Sequence, residues 1–225
     1  MGQGISEVLT FAVGVAISPV PIMAVILMLF SQRARVNGPM FLAGWALALA
    51  VVSGVVYFVS DAGDAATSST ASDTISWGKI LFGVFFLLLA ARTWRSRPQP
   101  GTEPELPKWM AGIDSLAPGK AFGLGLLLAG LNPKNLLLAI GAAAGLAQLG
   151  LSTTDAVVSL IVFVVVGSLT IAGPVVYYLV GGDHAKVQLD SIKDWLAVHN
   201  AAVMTVLFLV LGVDLIAKGI GLLTG

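Results

Sequence analysis

Lys134 is the residue whose position in this chain most needs a chemical explanation. It lies near the middle of a long apolar stretch, within the run Asn132-Pro133-Lys134-Asn135. An isolated ammonium at the centre of a bilayer costs roughly 3 kcal/mol on insertion scales, so such a group normally faces a cavity and has a partner. We therefore expect Lys134 to face a cavity together with a carboxylate or an anionic ligand.

A second apolar stretch, close to the N-terminus, is interrupted by the run Ser-Pro-Val-Pro at 18–21. Proline lacks the amide donor that a helix needs, and its ring clashes with the carbonyl four residues earlier. Pro19 and Pro21 therefore deprive the carbonyls of Val15 and Ile17 of their helical partners. In hydrocarbon such carbonyls are tolerated only where they are buried in protein or face a water-filled cavity.

Both interruptions have the sequence of a helix that ends and starts again. Ser18 and Asn132 are residue types favoured at the N-cap, and the prolines that follow, Pro19 and Pro133, are favoured at the first helical position. The start of a helix presents unpaired N–H groups and the positive end of the helix dipole, which suits an anion. The two breaks therefore predict an anion-binding site, to which Lys134 adds a full positive charge.

The stretches that carry these runs are membrane spans by length and composition. Of the 225 residues, 57% are hydrophobic and 11% are charged, whereas about 25% charged residues is ordinary for soluble proteins. A membrane-spanning helix needs about 20 mostly apolar residues. The composition excludes a soluble globular domain and predicts an all-α integral membrane protein. Six segments qualify as spans: 8–30, 40–60, 78–94, 121–146, 156–180 and 201–223.

The six predicted transmembrane helices divide into two halves of similar design, each with a broken first helix. Because three spans per half is an odd number, the second half must be inverted in the membrane. Inverted repeats with a binding site at broken helices recur among transporters. We predict one three-helix repeat at 1–95, a proline-rich cytoplasmic linker at 96–118 and a second three-helix repeat at 119–225. Apolar residues at helical spacing between Trp109 and Leu116 predict a short helix at the membrane surface.

Basic residues are concentrated on one side of the predicted bundle, and cytoplasmic loops are enriched in Lys and Arg. On the opposite side only Lys79 and Lys218 remain. The sequence therefore predicts a multi-pass protein of the plasma membrane with both termini outside. The basic residues at the connections after spans 1, 3 and 5 are Arg33, Arg35, Arg92, Arg95, Arg97, Lys108, Lys120, Lys186 and Lys193.

Asp214 is the one acidic residue well inside a predicted span, and three interpretations of it stay open. It can form an ion pair with Lys134, it can pair with Lys218 one helical turn further along, or it can act as a coupling group that binds a proton. Elsewhere, Gly141 and Gly145 place small residues four apart. This spacing permits close helix packing, either within the chain or in a homodimer.

Other classes of site are excluded by what the chain lacks. It has no cysteine and two histidines, so we predict no metal site and no cofactor. Twelve basic and twelve acidic residues balance, which gives no indication of a nucleic-acid partner. The sequence lacks the zinc-protease and nucleophile-elbow motifs and a pair of deep carboxylates, so we predict that it is not an enzyme.

With these residues in view, the chain resembles the LysE superfamily of small six-span exporters. The run at 18–21 is similar to the early proline motif of that superfamily, and the run at 132–134 is similar to its second-half Asn-Pro-Lys motif. The hydropathy layout and the long charged linker are most similar to the GAP, or sulfolipid-addressing, branch, which is typical of actinobacteria. The resemblance implicates the following residues in a transport site, with Asn135 added for its proximity: Ser18, Pro19, Pro21, Asn132, Pro133, Lys134 and Asn135.

The resemblance implies a secondary-type transporter of a bacterial plasma membrane that exports an anionic or zwitterionic lipid-linked substrate of the glycolipid or peptidoglycolipid class. Its expected partners are membrane lipid or the lipid-linked substrate, together with lipid-synthesis or export machinery. Two alternatives stay open: an exporter of amino acids or other small solutes, and an accessory subunit of a lipid-export machine. Amino-acid exporters of the superfamily usually have glycine between the two early prolines, where this chain has Val20.

Overall fold

A computed structural model describes residues 1–64, 71–97 and 108–224, and within these ranges the chain is helical and contains no strand. A short 3-10 helix, Lys108–Ser115, lies between the fourth and fifth α-helices. The eight α-helices are α1 Gly2–Ala16, α2 Pro19–Leu29, α3 Ala34–Asp64, α4 Ala71–Arg95, α5 Pro118–Gly130, α6 Pro133–Ala147, α7 Thr153–Gly181 and α8 His184–Thr224.

Four of these helices, α3, α4, α7 and α8, are long and apolar enough to cross a membrane. The remaining two candidate spans are bent pairs of half-helices. The axes of α1 and α2 differ by 56°, and those of α5 and α6 differ by 63°. If each bent pair counts as one span, the number of spans rises from four to six.

Both bends fall at the proline runs, as the local physics requires. Helix α1 ends at Ala16 and α2 begins at Pro19, while α5 ends at Gly130 and α6 begins at Pro133. In contrast, Pro39 and Pro174 lie inside continuous helices. Glycine precedes each of those two prolines, whereas serine or asparagine, which can cap a helix with its side chain, precedes the first proline of each break.

Helices from the two halves of the chain pack against each other. The most extensive pairings are α4 with α8, α3 with α5 and α1 with α7. Glycine allows the closest of these crossings: a Cβ on Gly44 would collide with the carbonyl oxygen of Phe122, and a Cβ on Gly125 would collide with that of Phe41. The three-helix segments before and after the linker are therefore interleaved.

Gly141 and Gly145 are used for packing within the chain. A side chain at Gly141 would meet the ring of Phe11, and one at Gly145 would meet the carboxylate of Glu7. Both contacts are with α1, so this pair of small residues explains how α6 approaches α1. A homodimer stays a prediction.

Two segments outside the predicted spans are more ordered than their polarity indicates. Helix α8 begins at His184, well before the predicted span at 201–223, because Ala185, Leu189 and Leu196 are buried at helical spacing. In the linker, the predicted short helix corresponds to the 3-10 helix, whose buried residues Met110 and Ile113 belong to the hydrophobic core. Linker residues 98–107 lie outside the described ranges.

Candidate functional site

The two helix breaks meet in the interior of the bundle. The Nζ atom of Lys134, in α6, donates a hydrogen bond of 2.7 Å to the Oγ atom of Ser18, which lies between α1 and α2. The same Ser18 Oγ lies 3.3 Å from the Oδ1 atom of Asn135. More than a hundred residues separate these partners in sequence. The fold therefore brings the two predicted half-sites into direct contact.

The ammonium of Lys134 binds the C-terminal end of α1. Besides Ser18, it donates to the carbonyl oxygens of Gly14 and Ile17, each at 2.8 Å. Its three N–H donors are thus matched by three acceptors, and only 7% of the residue is exposed. A cation at this position is favourable because the C-terminus of a helix carries a partial negative charge.

Lys134 has no acidic partner among the described residues, since no carboxylate there lies within ion-pair distance of its ammonium. Its three acceptors are neutral groups, which solvate the positive charge without cancelling it. Of the two expected partners for this lysine, the carboxylate is therefore absent among the described residues, and the anionic ligand stays a prediction. Asp214 pairs elsewhere: its Oδ2 atom lies 3.2 Å from the Nζ atom of Lys218.

The carbonyls that the first break frees are satisfied by side chains. Ser18 Oγ donates to the carbonyl of Val15 at 2.6 Å, and the Lys134 ammonium takes that of Ile17. The hydroxyl of Thr170, on α7, donates to the carbonyl of Ala16 at 2.6 Å. Buried backbone acceptors without a partner are costly, so these three side chains are what makes the break stable within the protein.

The second break is stabilised by its asparagines. The Oδ1 atom of Asn132 accepts a hydrogen bond of 3.1 Å from the backbone N–H of Lys134, as expected of an N-cap. The Nδ2 atom of Asn135 donates to the carbonyl of Leu128 across the break at 3.1 Å. Asn135 is fully buried. Asn135 therefore links α5 to α6 and stabilises the break without lining the site.

Fewer backbone donors are available at the two helix starts than the sequence analysis expects. Ser18 occupies the N-cap of α2 but makes no capping hydrogen bond with its side chain. Because Pro19 and Pro21 lack N–H groups, Val20 supplies the single amide donor of the first three positions. The positive character of the site therefore rests mainly on Lys134 and the helix dipoles.

A chamber of about 270 Å³ lies against both breaks, and we call it the polar chamber because half of its lining residues are polar. Five predicted site residues line it, whereas Pro133 and Asn135 do not. The predicted site omits the other five lining residues, of which Asn200 is the most informative, since its buried Oδ1 atom has no hydrogen-bond partner. Asn200 was a polar residue next to a predicted span, which is a weak signal. The lining residues are Ser18, Pro19, Val20, Pro21, Thr93, Asn132, Lys134, Asn200, Met204 and Phe208.

A larger apolar groove of about 700 Å³ lies on the other side of the α1 C-terminus, between α1 and α8. Gly14 and Ile17, whose carbonyls hold Lys134, line this groove. Its rim includes Val206 and Val210, both more than half exposed on the apolar exterior. The groove is therefore open sideways, and it adjoins the polar chamber where Ile17 lines the groove and Ser18 lines the chamber.

A cluster of four charged side chains lies at the opposite end of α1 from the chamber. The carboxylate of Glu7 is 3.8 Å from the ammonium of Lys79, on α4, and 3.8 Å from that of Lys218, on α8. Asp214 completes the cluster through Lys218. Sequence analysis missed Glu7, although an acid near the start of a predicted span was a usable signal.

Together, the apolar helices and the polar chamber define a multi-pass membrane protein with a candidate binding site at two helix breaks. Among the described residues, no group of three or more metal-ligating side chains comes together.

Residues 8–221 match the model of the SfLAP family, described as "Sap, sulfolipid-1-addressing protein". Because the match spans most of the chain, the protein belongs to this family, and the predicted resemblance to the sulfolipid-addressing branch is confirmed. Membership of the wider LysE superfamily stays a prediction. No curated protein and no solved structure matches the chain.

Proposed function

We propose that this protein is a secondary-type transporter that exports an anionic or zwitterionic lipid-linked substrate of the glycolipid or peptidoglycolipid class. The observation that carries the proposal is the pairing of a polar chamber at the helix breaks with an apolar groove beside it. An amphiphilic molecule needs both environments at once. The family description, which refers to addressing a sulfolipid, supports the same class of substrate.

The charge of the chamber supports an anionic head group. Lys134 brings a positive charge that no described carboxylate balances, and the partner-free Oδ1 atom of Asn200 offers an acceptor to a hydroxyl or amide of the substrate. In a low-dielectric site an attraction between opposite charges is stronger than in water. An arriving anion can replace one of the three acceptors of Lys134 and weaken its hold on α1.

The packing pattern supports an inverted repeat as the basis of transport. If α1–α4 correspond to α5–α8, the pairing of α3 with α5 corresponds to the pairing of α7 with α1. Both are among the most extensive contacts in the bundle. We propose that the segments 1–95 and 119–225 are two such repeats, and that rocking one against the other exposes the chamber alternately to the two sides.

The proposed role of Lys134 is tested by export of a labelled anionic glycolipid from proteoliposomes. Lys134→Met should abolish export, because it removes the charge that the head group binds. Since this variant also loses the bonds to α1, Asn200→Ala is a second test. It breaks no side-chain hydrogen bond among the described residues and should reduce export while the protein stays folded. Lys186→Met, which removes an exposed ammonium paired with Asp183, is the matched control.

Wild-type export by Lys134→Met would overturn the role of this lysine. If purified wild-type protein moves no lipid in proteoliposomes, the result favours an accessory subunit of a lipid-export machine over a transporter.

A small-solute exporter is the second candidate, because the polar chamber by itself approaches the lower size limit of small-molecule pockets, about 300 Å³. Val206→Trp, which places a bulky ring in the apolar groove, distinguishes a lipid exporter from a small-solute exporter. It should block lipid export if the groove accommodates the lipid chain, and it should leave amino-acid efflux unchanged if the substrate is small. Val213→Trp is the control, since Val213 is equally exposed on α8 and does not line the groove.

A further inference from the structure

The two basic residues on the predicted outer side of the membrane converge on one carboxylate. Lys79 and Lys218 lie on different helices and are far apart in sequence. Nevertheless, their ammonium groups lie 3.8 Å from the two separate oxygens of Glu7, Oε1 and Oε2 respectively. The side chains of Glu7, Lys79 and Lys218 are 16%, 19% and 29% exposed. The three groups form a partly buried triad at the outer end of α1.

Glu7 is held loosely in this triad. Hydrogen-bonded pairs of ammonium and carboxylate have N···O distances of about 2.7–2.9 Å, shorter than both contacts of Glu7. Its Oε1 atom is buried and accepts no hydrogen bond. The same Oε1 atom, which faces Lys79, also abuts Gly145, where a side chain would meet it. Glu7 therefore lies between the two ammonium groups without a short hydrogen bond to either.

Two further groups lie close to the Lys218 ammonium of the triad. The carboxylate of Asp214 lies 3.2 Å from the Lys218 ammonium, which also lies 5.7 Å from the ring centroid of Phe11. A cavity of about 180 Å³ is lined by Lys79 and mostly by apolar groups such as Phe11, and neither Glu7 nor Lys218 lines it. An anion therefore has to displace Glu7 to reach both ammonium groups.

We propose that Lys79 and Lys218 form a second anion-binding site, which takes a sulfate or phosphate ester, and that Glu7 occupies this site as an internal substitute. This inference rests on the proposed function, for which it supplies an exit site. Glu7 lies 11 residues before Ser18, about 16 Å along the axis of α1. A head group leaving Lys134 reaches Lys79 and Lys218 at the other end of the same half-helix and displaces Glu7.

The test measures sulfate binding by full-length protein in nanodiscs of zwitterionic lipid. Melting temperature is followed while sodium sulfate replaces sodium chloride at constant ionic strength, because a ligand that binds the folded state raises it. Glu7→Gln frees the site of its carboxylate. If that carboxylate occupies the site most of the time, its removal should tighten apparent sulfate binding about tenfold or more.

Three controls assign any effect to the two lysines. The sulfate response of Glu7→Gln should disappear when Lys79→Met or Lys218→Met is added. Asp155→Asn, which removes the carboxylate paired with the N-terminal ammonium, should respond like the wild type. Equal sulfate responses in the wild type and Glu7→Gln, or a response that survives loss of both lysines, would show an ordinary structural ion-pair network and overturn the proposal.

A second arm separates free anions from lipid head groups. Nanodiscs that contain a sulfated glycolipid are compared with nanodiscs that contain its unsulfated counterpart. Stabilisation of Glu7→Gln by the sulfated lipid assigns the site to lipid head groups, and stabilisation by inorganic sulfate alone assigns it to free anions. Both results support an anion site, whereas a response to neither excludes one.

Sulfate binding at the triad and export through the chamber can be measured independently of each other. Sulfate binding by Glu7→Gln requires no transport, so absent export with an intact sulfate response would overturn the transporter and leave the site. Active export by a Glu7→Gln variant that ignores both forms of sulfate would overturn the site alone.

Discussion

At the scale of single residues, side chains replace the helical hydrogen bonds that proline removes. Ser18 serves two neighbours at once, because its hydroxyl donates to the carbonyl of Val15 and accepts from the ammonium of Lys134. Thr170 satisfies the carbonyl of Ala16 from a different helix. The residues that define the chamber are thus also those that stabilise the break.

Because Ser18 has both roles, we predict that Ser18→Ala lowers the free energy of unfolding more than the loss of a single hydroxyl usually does. The variant leaves the carbonyl of Val15 and one N–H of Lys134 without a partner, and an unsatisfied buried group costs about 1–3 kcal/mol. Ser53→Ala is the matched control: Ser53 is equally buried, but it donates to the carbonyl of Leu49 within its own helix. Unfolding in detergent should show a clear loss for Ser18→Ala only, and equal losses would contradict this role.

At the scale of elements, glycine sets how closely the two halves approach. Gly44 on α3 and Gly125 on α5 each face a backbone carbonyl of the opposite helix. Gly83 on α4 and Gly212 on α8 likewise approach each other's carbonyl oxygens. Such close crossings rely on small residues because lipid gives helices little hydrophobic reason to associate. The crossings hold the half-helices at the angles that bring their broken ends together.

We therefore expect Gly125→Ala to disrupt the α3–α5 crossing. The added methyl group would collide with the carbonyl oxygen of Phe41, which cannot move without its helix, and overpacking typically costs about 1–3 kcal/mol. Gly123→Ala, in the same helix, has open space around it and should be neutral. Thermal melting of the two purified variants compares them directly. Similar melting temperatures would show that the crossing adapts.

At the scale of the whole molecule, two groups of ion pairs show which helix ends lie together at one end of the bundle. The triad gathers the start of α1, the early part of α4 and the late part of α8 at one end. The N-terminal ammonium pairs with Asp155 near the start of α7. The starts of the first, third and fifth predicted spans and the end of the sixth therefore share one side, as expected of alternating spans.

The absence of cysteine from the sequence makes the predicted orientation directly testable. Gln3 and Val187 are exposed and lie on the sides predicted to be outside and cytoplasmic. A membrane-impermeant maleimide should label Gln3→Cys on intact cells, and it should label Val187→Cys only after permeabilisation, because basic loops stay in the cytoplasm. The reverse pattern would invert the topology. The cysteine-free wild type is the background control.

The sequence by itself determined the features that act locally. Hydropathy identified the segments long and apolar enough to cross a membrane, and the runs of serine or asparagine followed by proline located both breaks. Proline alone is not sufficient, since Pro39 and Pro174 lie inside continuous helices. The sequence also identified the family, since the two short motifs and the hydropathy layout are properties of the chain alone.

Only the tertiary structure decided which groups meet. Lys134 binds the carbonyl end of α1, Asp214 pairs with Lys218, and Glu7 joins two lysines from other helices. Each contact, apart from the one between Asp214 and Lys218, joins residues on different helices, so it depends on helix crossings that spacing along one helix cannot fix. The physical reason is that hydropathy and proline effects act over a few residues, whereas the partner of a buried charge is set by the packing of distant segments.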